Sequence, residues 1–172
     1  QQRSNGRVGS SSKAVPFGLD PVVWESWQRC RQHFATGQLH PEPQNQRPRV
    51  QRWLESYADL TTSAVPYLED IYEFTKGLAL AVILADNDGR IIAIQSQPNH
   101  MAQLTPLGLQ VGGNWHEHAV GTNALALSLL SAMPTQVIGP EHYFERFHSF
   151  GMTAAPVHDA YGSMAGGIAL IT

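Results

Sequence analysis

The chain has 172 residues, enough for one well-packed domain plus an appendage. At 42% hydrophobic and 15% charged residues it is globular in composition, and a net charge of −3 with no Lys/Arg run excludes a nucleic-acid grip by this chain itself. One cysteine, Cys30, excludes an internal disulfide framework and fits a reducing, cytoplasmic setting, while no apolar run nears the roughly 20 residues of a membrane helix.

The first 16 residues are rich in Ser, Gly, Gln and Arg and lack the apolar core of a signal peptide; they read as a disordered tail. Asp20-Pro21 predicts a helix start, because Asp caps and Pro suits the first helical position. The helix that follows carries Val23, Trp27, Cys30 and Phe34 at helical spacing, and Gly37 is its expected stop. Residues 40–50, with three prolines and no periodicity, read as a linker. A second helix is expected from Arg49 to Leu60. A third is expected from Thr61, Thr62 or Ser63 to Lys76, with Val65, Leu68, Ile71, Tyr72 and Thr75 on one face.

The period then changes. LALAVILADNDGRIIAIQ is two extended runs joined by Asn87-Asp88-Gly89, a hairpin signal. A short helix is expected around Met101 to Leu104, followed by the loop PLGLQVGG. Thr122 is expected to cap a helix from Asn123 to Met133, ended by Pro134. Thr135 to Ile138 reads as a short strand, EHYFERFH as a loop or single helical turn, and residues 152–172 as a second hairpin around Asp159 to Gly162. Consecutive hairpins with helices around them predict an α+β domain with an antiparallel sheet of five to six strands. The organisation expected is a tail over 1–16, a helical extension with its Pro-rich linker over 17–60, and the main domain over 61–172.

Four chemistries can be weighed on these residues. His116 and His118 alternate and can both reach a metal, with Glu117, His142 and His148 to complete a set, but a lone HxH is weak and HEH is not a metalloprotease motif. A nucleophile would have to be Cys30, whose helical, apolar neighbourhood suits a packed small hydrophobe. Glu141-His142 lacks a partner nucleophile, no GxSxG elbow occurs, and no GxxxxGK[ST] phosphate loop occurs. A small-molecule pocket fits best. Gly121-Thr122-Asn123 opens a helix, Trp115, Phe144, Phe147, Phe150 and Met152 offer apolar walls, and Glu117, His142 and His148 offer polar contacts.

Four stretches together resemble one family. They are SWQRC (26–30), LADNDGRII (84–92), WHEHAVGTNALALSL (115–129) and GPEHYFERFHSFGMTAAPVHDAYGSMAGGIALI (139–171). In this order they resemble the GAF domain found at the N-terminus of sigma-54-dependent transcriptional activators of the acetoin-catabolism and dihydroxyacetone-kinase-operon type. The resemblance implies a sheet flanked by helices, a pocket on one face, and ligand sensing without a catalysed reaction or cofactor. It places Trp115, Glu117, Gly121, Thr122 and Asn123 in one signature and Glu141, His142 and His148 in a second block. His116 and His118 match no family feature, so no metal is expected. Met152-Thr153 stand where the family commonly has Cys and Ser, and Phe150 replaces a usual Trp, which leaves the ligand open. The Cys-dependent enzyme and bilin branches of the fold lack their cysteine here.

The expected ligand-binding set is therefore Trp115, Glu117, Thr122, Asn123, His142, Phe144, His148 and Met152. The expected partners are a small metabolite or a regulatory protein, and a second copy in a homodimer. Contact with DNA and sigma-54 RNA polymerase is expected only through domains outside these residues, as is the helix that follows the last strand. No membrane is expected. The alternative expectation is an interaction and dimerisation module with no small-molecule ligand.

Overall fold

The computed structural model of the protein describes residue 15, residues 18–35 and residues 47–172. The expected tail, the Gly37 stop and most of the Pro-rich stretch lie outside the described residues. Helix α1 (Pro21–Phe34) starts where its sequence says it should: the Asp20 carboxylate accepts from the Val22 N–H at 2.7 Å, and Pro21 loses no hydrogen bond at the first position.

Two helices follow, but their boundary is earlier than expected. Helix α2 (Arg47–Glu55) begins inside the stretch read as linker, and α3 (Ala58–Phe74) begins before Thr61. Ser56 and Tyr57 make the break, their N–H groups reaching back to the carbonyls of Trp53 and Leu54. Thr61 and Ser63, read as helix starters, instead return their hydroxyls to the carbonyls of Tyr57 and Asp59, at 2.8 and 2.9 Å, the bond that lets such residues sit inside a helix. Leu68 and Tyr72 are buried as expected, but Ile71 is 38% exposed.

The sheet has five strands in the order β2-β1-β5-β4-β3: β1 (Ala81–Ala85), β2 (Ile91–Ser96), β3 (Thr135–Ile138), β4 (Gly151–His158) and β5 (Met164–Ile171). Every pairing is antiparallel. The fold is α+β, as expected. Both hairpins form where predicted. In the first turn the Asp86 carboxylate accepts from the N–H groups of Asp88 and Arg90, and Gly89 sits at φ +76. Strand β1 is short of the apolar run that announces it, and Leu78 is exposed.

Both faces of the sheet are covered, which explains why β1 is buried at every position. Val82, Leu84 and Ile92 pack with Leu68 and Tyr72 of α3 on one face. Ala81, Ile83 and Ala85 point the other way, into a core shared with Val23 of α1 and with Trp115, Phe147 and Met152. That second face is roofed by α4 (Pro98–Leu104), α5 (Glu117–Val120) and α6 (Ala124–Ser131). Two short 3-10 turns, Gly139–Glu141 and Glu145–Phe147, join β3 to β4.

Candidate functional site

The signature GTN segment is tied to α1 rather than left open. Helix α6 is capped by Asn123, not Thr122: the Asn123 carbonyl oxygen accepts from the Ala126 N–H at 2.9 Å, and its amide donates to the carbonyls of Trp115 and Gly121. Both residues can cap, and the chain chooses the one whose amide also satisfies two neighbouring carbonyls. Thr122 is thereby free to face α1. Ser26 donates to the Glu117 carboxylate at 2.7 Å and stands 2.7 Å from the Thr122 hydroxyl. Ser26 has a single proton, so Thr122 donates to Ser26.

Glu117 completes this knot. Arg29 grips it with two parallel bonds, Nε to Oε1 and Nη2 to Oε2, each 2.7 Å. Burial works against the charged carboxylate, but the bonds from Arg29 and Ser26 and the guanidinium charge outweigh it and hold its pKa below the usual range. Cys30 lies 3.5 Å from the Thr122 hydroxyl, and burial pushes its thiol up, away from nucleophilic character.

Gly121 links this knot to the second sequence block. At φ +75 it adopts a backbone that side chains rarely take, and an added Cβ would meet Tyr143 Cβ at 2.9 Å and the Phe144 ring at 3.1 Å. The absent side chain lets the 143–144 segment close over the signature. There Trp27 donates its indole N–H to the Glu141 carbonyl at 2.8 Å, while Glu141 turns its own carboxylate to the Ile138 N–H. His142, 2% exposed, faces the Gly139 carbonyl through Nδ1, and His148 faces the His142 carbonyl through Nε2, both at 3.1 Å. A carbonyl can only accept, so those ring nitrogens carry the protons. Burial lowers the His142 pKa and keeps its ring neutral.

Between α1 and this segment lies a cleft of about 400 Å³ lined by Trp27, Arg31, Pro140, His142, Tyr143 and His148. The eight residues expected to bind a ligand thus fall in four places. His142 and His148 line the cleft. Glu117, Thr122 and Asn123 are engaged in the knot and the cap. Trp115 and Met152 are in the core, Trp115 with its indole N–H on the Gly108 carbonyl and its ring 5.2 Å from Phe147. Phe144 sits beside the cleft, against Phe34 and Tyr143.

His116 and His118 contact each other, and His118 stacks on His33 of α1 at 4.5 Å. Among the described residues no group of three or more His, Cys, Asp or Glu is arranged to hold a metal ion. The sequence reading did not assign roles to Ser26, Arg29 or Arg31. Ser26 and Arg29 stand in the SWQRC stretch and Arg31 just after it, but the partner of Arg29 is 88 residues away and nothing local announces it.

No protein-family model matches the chain. The chain is 32% identical over 145 residues to the acetoin dehydrogenase operon transcriptional activator AcoR of Bacillus subtilis, an alignment covering 84% of the chain and 24% of that protein. It is 28% identical over 152 residues to the glycerol metabolism operon regulatory protein of Citrobacter freundii, covering 88% of the chain and 24% of that protein. The fold matches a chain in the crystal structure of the E. coli DhaR(N)–DhaL complex with a TM-score of 0.76 at 23% identity, over 88% of this chain and 52% of that one. The chain is of this operon-regulator type. It spans about a quarter of the length of these curated relatives. No helix among the described residues is long and apolar enough to cross a membrane.

Proposed function

We propose that this chain is the regulatory input domain of a transcription activator, receiving a small metabolite or a partner protein and passing the signal on through α1. The observation that carries the reading is the knot of Arg29, Ser26, Glu117 and Thr122. It makes the position of α1 depend on the signature segment, so an event at either one biases the other. The cleft between α1 and the 140–148 segment is the natural place for that event, with His142 and His148 as binding residues. The relatives support it as operon regulators, and the DhaR(N)–DhaL complex supports a partner protein as one form of input. On this reading the domain works in the cytoplasm, catalyses nothing, and leaves DNA and sigma-54 polymerase to other parts of its parent protein. Deleting residues 1–172 from the parent activator should leave operator binding intact and abolish the response of its operon to the inducing signal. A parent that still responds fully would overturn the proposal.

A second reading, an interaction and dimerisation module with no small-molecule ligand, has its own support. The interior expected to hold a ligand is filled by Trp115, Phe147 and Met152. Tyr67, Ile71 and Phe74 also form an exposed stripe at helical spacing along α3, with Leu78 exposed just beyond its end, suited to the same surface on a second copy. On this reading Phe74→Glu should convert a dimer to a monomer in sedimentation velocity. A monomeric wild-type chain would remove it.

A further inference from the structure

The cleft at α1 has a charge pattern that points to a class of ligand. Its six lining residues include no carboxylate, and they include one guanidinium, Arg31. Arg31 is exposed at the cleft and makes no ion pair among the described residues, in contrast to Arg29 two positions earlier, which is committed to Glu117. The nearest acid in sequence to the lining, Glu141, has its carboxylate engaged by the Ile138 N–H. The walls are flat and held in place: the Trp27 indole is pinned by its bond to the Glu141 carbonyl, and the Tyr143 ring stacks on Phe34 at 5.6 Å. A volume of about 400 Å³ is within the range of small-molecule sites.

We infer that this cleft binds a small organic anion, a carboxylate or phosphoryl group on a flat apolar body, with Arg31 as its counter-ion. The guanidinium fork matches two oxygens of such a group at once, and the indole and phenol faces take the apolar part. The inference rests on the reading of the chain as an input domain, and it names the chemistry of the metabolite that the domain receives. Neither Arg31 nor Tyr143 was singled out in the sequence, because an exposed helix Arg and a loop Tyr are unremarkable until the fold sets them around one space.

Titration calorimetry of the 172-residue chain with benzoate and, separately, with phenyl phosphate tests it. One saturable site per chain is expected with at least one of the two, and the tighter of them identifies the carboxylate or the phosphoryl source. Arg31→Gln should weaken that binding about tenfold or more, the scale of one bidentate charged contact. Arg31→Lys should recover part of it. The Trp27 indole N–H resonance should shift on binding, a change that general loss of structure would not give selectively. Arg31 makes no ion pair among the described residues, so the variants should melt with the wild type. Absence of saturable binding with both probes, or binding that Arg31→Gln leaves unchanged, overturns the inference. If neither probe binds yet deletion of the domain abolishes the operon's response, the anion site falls and the input-domain reading stands. If a probe binds but the deleted parent still responds, the site stands and that reading falls.

Discussion

Glu117 shows how one buried charge can organise a surface. Its two oxygens take three short bonds, and all the donors come from α1. Removing Arg29 would leave the carboxylate buried with a single hydroxyl partner. Arg29→Met should therefore lower stability to urea at pH 7 by about 1–2 kcal/mol, held to the low end because the Arg29 side chain is 37% exposed. The pH dependence has a definite sign. The folded pKa of Glu117 lies below its unfolded value, so its stabilisation is whole above the ordinary carboxylate range and is lost as pH falls through the folded value. Between about pH 5 and 3 the wild type should lose more stability than Arg29→Met. Parallel acid limbs for the two proteins would show that the pair is not holding α1.

At the scale of elements, α1 and α5 meet through imidazoles as well. His33 stacks on His118 and points its Nε2 at the His118 carbonyl, 3.1 Å away. Burial, then His116 and His33, push the His118 pKa down, with Arg29 adding to them and Glu117 opposing. A His whose folded pKa is lowered stabilises the fold in its neutral form, above the ordinary His range, and that contribution is lost as pH falls through it. Amide exchange along α1, corrected for intrinsic rate, should therefore be faster at about pH 5 than at about pH 7, and His118→Gln should reduce the difference. Equal protection at both pH values would remove the stack from the account.

The same elements show what was legible beforehand. Helix α1 and both hairpins were, because Asp20-Pro21, Asn87-Asp88-Gly89 and Asp159 to Gly162 act on their own neighbours. The α2–α3 break was not, since Ser56-Tyr57 carries neither Gly nor Pro. The cap of α6 lies one residue later than its sequence suggests because Thr122 and Asn123 both qualify, and only the distant α1, through Ser26 and Cys30, claims Thr122. The cleft was half legible. His142 and His148 stand in one short stretch, but Trp27 and Arg31 reach them from more than a hundred residues away.

For the whole molecule, topology matters more than any contact. Strand β5 is the last in sequence yet central in the sheet, pairing β1 on one side and β4 on the other. Without it the hairpin of β1 and β2 has no connection to β3 and β4. A chain ending at residue 163 should show no cooperative thermal transition, and a sharp unfolding transition in that fragment would show that the roof helices hold the halves together unaided. The apolar pattern of β1 declared a buried strand, but its partner Ile168–Ile171 lies more than eighty residues on, beyond the reach of local pattern.

That placement has a consequence for synthesis. A ribosome delivers β1, with both of its apolar faces, long before it delivers the strand that closes the sheet. For the whole of that interval the nascent domain carries an open edge at its most hydrophobic strand, the condition under which chains pair with the wrong neighbour. The exit of the last few residues of β5 is therefore the committing step in the birth of this domain.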